Sequence, residues 1–171
     1  MAVRPLTPAD AAAYVALRRE MLDDAPWAFA ASPGDDAALD APGVAARLGD
    51  PGGRYAIIGG WVEGRLGGAA GIIRSDHVKM AHRAHIWGVY VTPAARGSGL
   101  GARIMRGVFD HARSWAGVTS VGLSVSVRSL GAIRLYERMG FARWGLEPGA
   151  LVLDGRAHDE VHMVASLDNA R

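Results

Sequence analysis

The stretch from Trp87 to Gly101 constrains this chain more than any other. It reads as an apolar strand (Trp87-Gly88-Val89-Tyr90-Val91), a turn (Thr92-Pro93-Ala94-Ala95), and one arginine with three alternating glycines (Arg96-Gly97-Ser98-Gly99-Leu100-Gly101). A helical run follows, with Leu100, Ile104, Val108 and Trp115 on one side. The first N–H groups of a helix have no partners inside it, and the helix dipole is positive there. A glycine-rich entry to a helix is therefore an anion site into which a diphosphate can come close. Arg96 adds a fixed positive charge.

The remaining elements alternate around this unit. Residues 2–6 predict a short opening strand. Thr7-Pro8-Ala9-Asp10 predicts a helix start, with Thr7 as cap, Pro8 at the first helical position and Asp10 at the positive end of the dipole. Tyr14, Leu17 and Met21 continue at helical spacing, and the helix ends before Pro26. Residues 23–42 read as a loop or broken helix that holds Trp27 and Phe29. A weak helix over about 36–48 follows, stopped at Pro51-Gly52-Gly53. Strands over 55–62, 66–74 and about 82–91 form an antiparallel meander. After the glycine loop come a helix over about 98–115, a strand over 119–127 and a helix over 129–139. Gly140 stands where a left-handed C-terminal cap belongs. Phe141 opens another strand, 144–154 is left unassigned, and 160–167 is the last strand.

Composition narrows the function classes. The 171 residues fit one domain, 50% hydrophobic and 21% charged, the balance of a soluble globular protein. No apolar run approaches the ~18–20 residues of a membrane span, and the N-terminus lacks the apolar core of a signal peptide. Cysteine is absent, which removes disulfides, thiolate metal sites and cysteine nucleophiles; a reducing, cytoplasmic location is expected. The pI of 9.4 comes from arginine, Lys79 being the only lysine. The arginines are scattered with no basic block, so neither nucleic acid nor a membrane surface is expected as a partner. His77, His82 and His85 cluster without a metal-binding spacing, as do His158 and His162, and no metal is expected.

Three readings of the glycine loop compete. One is a turn with no ligand, which three glycines and an arginine between a strand and a helix disfavour. Another is a dinucleotide fingerprint, since Gly97-x-Gly99-x-x-Ala102 fits the pattern. In that fold the glycines follow the strand at once, but here Thr92 to Arg96 intervene; the acidic residue expected at the end of the next strand is also missing from 119–127. The third is coenzyme A. Arg96-Gly97-Ser98-Gly99-Leu100-Gly101 resembles the acyl-CoA signature of the GNAT acetyltransferase superfamily. Ala132-Ile133-Arg134-Leu135-Tyr136-Glu137-Arg138-Met139-Gly140-Phe141 resembles that family's second signature, A-x-x-L-Y-x-x-x-G-F. The two stand in the family's order, and the element order resembles the family fold along essentially the whole chain.

The resemblance implies an α/β fold with a mixed, mostly antiparallel central sheet, helices on both faces and two splayed central strands, 83–91 and 119–126. It implies acetyl-CoA as cosubstrate, held by the backbone of Val89 and Val91 along the pantetheine arm, and by Arg96, Gly97, Ser98, Gly99, Leu100, Gly101 and Ala102 at the diphosphate. Ser129 stands at the position of a family asparagine that reaches the cofactor, and is also a good helix cap. Tyr136 matches the tyrosine that approaches the CoA sulfur, the general acid for the leaving thiolate. The activity implied is direct transfer of an acetyl group to a primary amine, on a small molecule or on a protein N-terminus or lysine. A non-catalytic acyl-CoA-binding or regulatory module of the same fold is the second reading. A homodimer is in keeping with the resemblance.

The amine's proton calls for a base or a water chain; His82 and His85 are the candidates near the cofactor strand, and His85 shares strand parity with Trp87, Val89 and Val91. Trp27 and Phe29, in Pro26-Trp27-Ala28-Phe29, match the segment that often walls the acceptor pocket in small-molecule acetyltransferases of the superfamily. Glu20, Asp23 and Asp24 lie at the end of the first helix, near where the family often binds acceptors.

Overall fold

The computed structural model describes residues 1–49 and 52–168; Pro51 of the expected Pro-Gly-Gly stop lies outside the described residues. The strands are β1 (Ala2–Pro5), β2 (Tyr55–Val62), β3 (Arg65–Arg74), β4 (Arg83–Val91), β5 (Ser120–Ser126), β6 (Ala142–Leu153) and β7 (Arg156–Ser166). The helices are α1 (Ala11–Asp24), α2 (Ala41–Leu48), α3 (Leu100–Ser114) and α4 (Leu130–Arg138). The strands form one mixed sheet in the order β1-β2-β3-β4-β5-β7-β6. Among the described residues only β4 and β5 pair parallel, as a β-α-β crossover through α3 requires.

Strand alternation sorts the apolar side chains onto two faces. Ile58, Ala70, Ile72 and Ile86 face α3 and α4, in a core with Ile104, Met105, Val108 and Tyr136. Their neighbours Ile57, Ala69 and Tyr90 face α1 and α2, in a second core with Tyr14, Leu17, Met21 and Val44. Helix α3 lies close to the sheet because β2 presents Gly60: a Cβ there would stand 2.7 Å from Leu100 Cδ1. At the start of α1, both the backbone N–H and the hydroxyl of Thr7 donate to the Asp10 carboxylate, at 2.8 and 2.9 Å.

Two departures from a regular sheet shape the centre. The first is a bulge in β4. Trp87 pairs with Gly71 and Tyr90 with Ala69, so Gly88 and Val89 together face one residue of β3. Gly88 takes φ +59 there, a conformation that costs glycine nothing. The second is the splay. β4 pairs with β5 only over Arg83–His85 and Ser120–Gly122; from Ile86 onward the two strands separate.

Strand β6 runs through the stretch left unassigned in sequence. Its residues are largely exposed and its register slips at Gly145 and again after Glu147, so it carries no clean period of two.

Candidate functional site

The splay opens a cavity of about 770 Å³ that runs from the glycine loop to Tyr136. Val89 and Val91 form one wall, and Ser129, Ala132, Leu135 and Tyr136 of the α4 region the other. Trp27 and Phe29 close one end. A smaller hollow of about 70 Å³ reaches through to the opposite face, lined by Phe29, Trp87, Gly88, Val89, Ser124, Ser126, Ser129 and Tyr136. Tyr136, Ser129, Val89 and Phe29 line both, and so stand at the junction.

The loop end is built for an anion. Gly97 and Gly99 have φ of +76 and +83, and Gly99 is the residue at which α3 begins. The amides that open α3 face the cavity at Leu100, Gly101 and Ala102, with Arg128 and Arg138 further along the wall. The Leu100 side chain points away into the core, 1% exposed, and anchors the loop from below. Ser98 is the one residue of 96–102 that does not line the cavity. Its hydroxyl donates to the Ala95 carbonyl at 2.6 Å and accepts from the Leu100 amide at 3.4 Å, so it braces the turn. Arg96 lines the cavity but is not free: it donates to Asp24 at the end of α1 and, through Nε, to the Val91 carbonyl at 3.1 Å. Its guanidinium also lies over the Tyr90 ring, whose hydroxyl donates to Glu20 and Asp24 at 3.2 and 3.1 Å.

Tyr136 is buried, and that burial pushes its hydroxyl pKa well above the ordinary tyrosine value. Its ring packs on Phe141, 5.6 Å between centroids, which fixes its direction. Ser129 is the residue before α4, but its side chain makes no capping hydrogen bond and borders both cavities instead.

The parity expected for His85 does not survive the bulge. Counting in twos from His85 reaches Trp87 on the α1 face, but past Gly88 and Val89 the phase shifts by one. Tyr90 then joins Trp87 on that face, while Val89 and Val91 pack with the α3 core. His85 therefore does not share a face with Val91, and it lines neither cavity. Its pKa is lowered, first by partial burial and then by the charges of His162 and Arg83.

Sequence reasoning missed Arg18. This buried cation on α1 donates through Nε to Asp36 at 2.5 Å. It lies against the rings of Phe29 and Trp87, at 5.5 and 6.0 Å, both of which line the smaller hollow. A cation at helical spacing among apolar residues is the only trace of it in the sequence. Trp87 itself lies flat across Gly71, where a Cβ would come within 2.1 Å of the ring. Among the described residues, no three histidine or acidic side chains are grouped to hold a metal ion.

The cradle fits a CoA diphosphate on three counts: helix-opening amides at Gly101 and Ala102 along the cavity, cationic walls, and a gap between strands that continues to the tyrosine. Comparisons with known proteins agree. The model of the acetyltransferase (GNAT) family matches residues 14–141. A GNAT-family acetyltransferase from Streptococcus pneumoniae has the same fold at TM-score 0.85 and 20% identity, over 96% of this chain and 98% of that one. A GNAT-superfamily phosphinothricin acetyltransferase from Sinorhizobium meliloti, solved in complex with acetyl-CoA, superposes at TM-score 0.80 and 19% identity, over 96% and 87% of the two chains. A mycothiol acetyltransferase from Streptosporangium roseum is 39% identical over 62 residues, 36% of this chain and 18% of that protein. The chain spans less than half the length of the curated relatives it matches, 43%, 18% and 27% in three of them.

Proposed function

This chain belongs to the acetyltransferase (GNAT) family, and from that premise we propose that residues 1–171 act as one acyl-CoA N-acyltransferase domain. It moves an acetyl group from acetyl-CoA to a primary amine, with both bound at once. The observation that carries this reading is the unpaired stretch of β4 and β5, with Tyr136 at the junction of the two cavities.

Acetyl-CoA, when bound, supplies the acyl group as a thioester. The chain supplies the rest. Amides at Gly97, Gly99, Gly101 and Ala102 hold the diphosphate, with Arg96, Arg128 and Arg138 as the nearest cations. The backbone of Val89 and Val91 borders the gap where the pantetheine arm would lie, and an N–H there would face the carbonyl oxygen on which charge develops. Tyr136 keeps its proton through neutral pH because it is buried. It can give that proton to the departing thiolate.

The amine must lose a proton before it attacks, at a cost of roughly 4–5 kcal/mol at pH 7 for a lysine-like group. His85 lines neither cavity. We assign the proton to water entering from the open face instead. No covalent acyl-enzyme is needed, and the chain has no cysteine to form one.

The test is release of free thiol from acetyl-CoA across a panel of primary amines, protein N-termini and lysine peptides. Amine-dependent thiol release supports the reading. Tight acetyl-CoA binding with no release for any acceptor would favour a non-catalytic acyl-CoA-binding module.

A further inference from the structure

Arg18 is a charge inside an apolar core, and charges are rarely placed there without use. It is 5% exposed, on the face of α1 that packs against the sheet. Asp36 takes only one corner of its guanidinium, the Nε hydrogen. Nη1 meets the Met21 sulfur at 3.0 Å, a weak acceptor, and Nη2 has no hydrogen-bond partner among the described residues. Both oxygens of Asp36 are already engaged, one by Arg18 and one by the Ala38 amide at 2.8 Å.

A second buried donor stands one turn earlier on the same helix face. Tyr14 is fully buried, feels the charges of Arg18 and Asp36, and its hydroxyl has no hydrogen-bond partner among the described residues. This cluster therefore holds more donors than acceptors. Buried donors left without partners are costly, and a carboxylate, which only accepts, is the group that would satisfy them.

The smaller hollow lies beside this cluster. The Arg18 guanidinium lies against the rings of Phe29 and Trp87, both of which line the hollow. Between them the strand carries Gly88, which also lines it; a Cβ there would stand 3.2 Å from Arg18 Nη1. Among the described residues no acidic side chain lines the hollow, and the larger cavity has Asp24 alone, which is held by Arg96. An acceptor with only positive charge finds no free counter-charge there.

We propose that Arg18 binds a carboxylate carried by the acceptor, through its Nη1 and Nη2 fork beside Gly88, so that the acceptor is an amino acid rather than a simple amine or polyamine. This rests on the acyl-transfer reading of the site. Asp36 holds the fork in place from Nε and also competes for its charge.

The test is calorimetric binding of ω-amino acids of increasing length, from 3-aminopropanoate to 5-aminopentanoate, each against its own carboxamide, to CoA-saturated protein. At the best length the acid is expected to bind about tenfold more tightly than the amide. That preference persists at high salt, because buried charges are screened least. Arg18→Gln brings acid and amide to within about twofold of each other. Asp36→Asn keeps an oxygen for the Ala38 amide, removes the competing charge, and widens the gap. A purely structural Arg18–Asp36 pair instead lowers Tm in both variants and moves acid and amide together. Equal affinity for acid and amide at every length in the wild type overturns the proposal without any variant. So does a preference that vanishes at high salt or survives Arg18→Gln. Should Arg18→Gln fail to fold, the wild-type series and Asp36→Asn decide, and an unchanged or narrowed gap in Asp36→Asn counts against it. Thiol release in the same samples separates the two claims. Acid-selective binding with no acetyl transfer to any amine defeats the acyltransferase reading alone. Transfer to amines with no acid preference defeats the subsite alone.

Discussion

Asp24 and Arg96 form an ion pair across the mouth of the large cavity, tying the end of α1 to the loop that opens α3. Arg96 was the cation expected beside a diphosphate, yet its guanidinium is held by a carboxylate. Arg96 also lowers the pKa of Asp24, so the pair is ionised at neutral pH. An incoming diphosphate competes with Asp24 for the same charge. Asp24→Asn is therefore expected to tighten acetyl-CoA binding by roughly two- to fivefold, the scale of a partly exposed pair. Calorimetry at two salt concentrations checks this. Weaker binding would mean that Asp24 serves to hold Arg96 in place.

Removing the Tyr136 hydroxyl isolates its chemical role. Tyr136→Phe keeps the packing on Phe141 and should leave acetyl-CoA affinity nearly unchanged while lowering turnover by about 10²-fold. The wild-type tyrosine has a raised pKa, so its proton is retained as pH rises. No loss of wild-type activity from this group is expected up to about pH 10, the ordinary tyrosine value. Unchanged turnover in the variant removes Tyr136 from the mechanism.

Trp87 lies where a side chain at position 71 would be, so Gly71→Ala must move the indole. The expected cost is about 1–3 kcal/mol, as for other overpacked sites, read as a fall in Tm with a change in tryptophan fluorescence. Acceptor KM should change more than acetyl-CoA affinity, because Trp87 borders the smaller hollow and not the glycine loop. A variant with wild-type Tm and fluorescence would contradict the close packing.

Acid should loosen the start of α1. Asp10 is held far below the usual carboxylate pKa, chiefly by Arg4 and further by the Thr7 amide and hydroxyl, against an opposing effect of burial. A depressed pKa stabilises the fold above the unfolded value of ~3.9, and that stability is lost as pH falls below it. Arg4 is 46% exposed, so its part is discounted for solvent screening. Asp10→Asn should cost about 1 kcal/mol at pH 7, with the gap to wild type closing below about pH 4. Thermal melts across that range test the sign.

Much of this was legible in the sequence because local chemistry dictates it. The Gly97 and Gly99 backbone, the helix after it, and left-handed Gly140 at φ +89 all follow from residue type. Trp27, Phe29 and Tyr136, singled out by the resemblance and not by residue type, do line the cavity. What escaped depends on register. The bulge at Gly88 inverts strand parity, which a count in twos cannot detect, so His85 and Val91 stand on opposite faces. Glu160 opposite Glu147, Arg18 against Asp36 and Asp24 against Arg96 join residues that only the fold brings together. Ser129 suited a cap by residue type, but its side chain caps nothing.

The central claim is that the loop at 97–102 holds the diphosphate of acetyl-CoA. The most direct measurement is calorimetric titration with acetyl-CoA of the wild type, Gly99→Asp and Gly99→Asn. Both substitutions put a side chain at φ +83, where Asn and Asp are the best tolerated after glycine. Only the aspartate places a negative charge at the cradle. The account predicts saturable binding by the wild type, retained with modest loss in Gly99→Asn and abolished in Gly99→Asp. Equal binding by all three proteins, or none by the wild type, would contradict it.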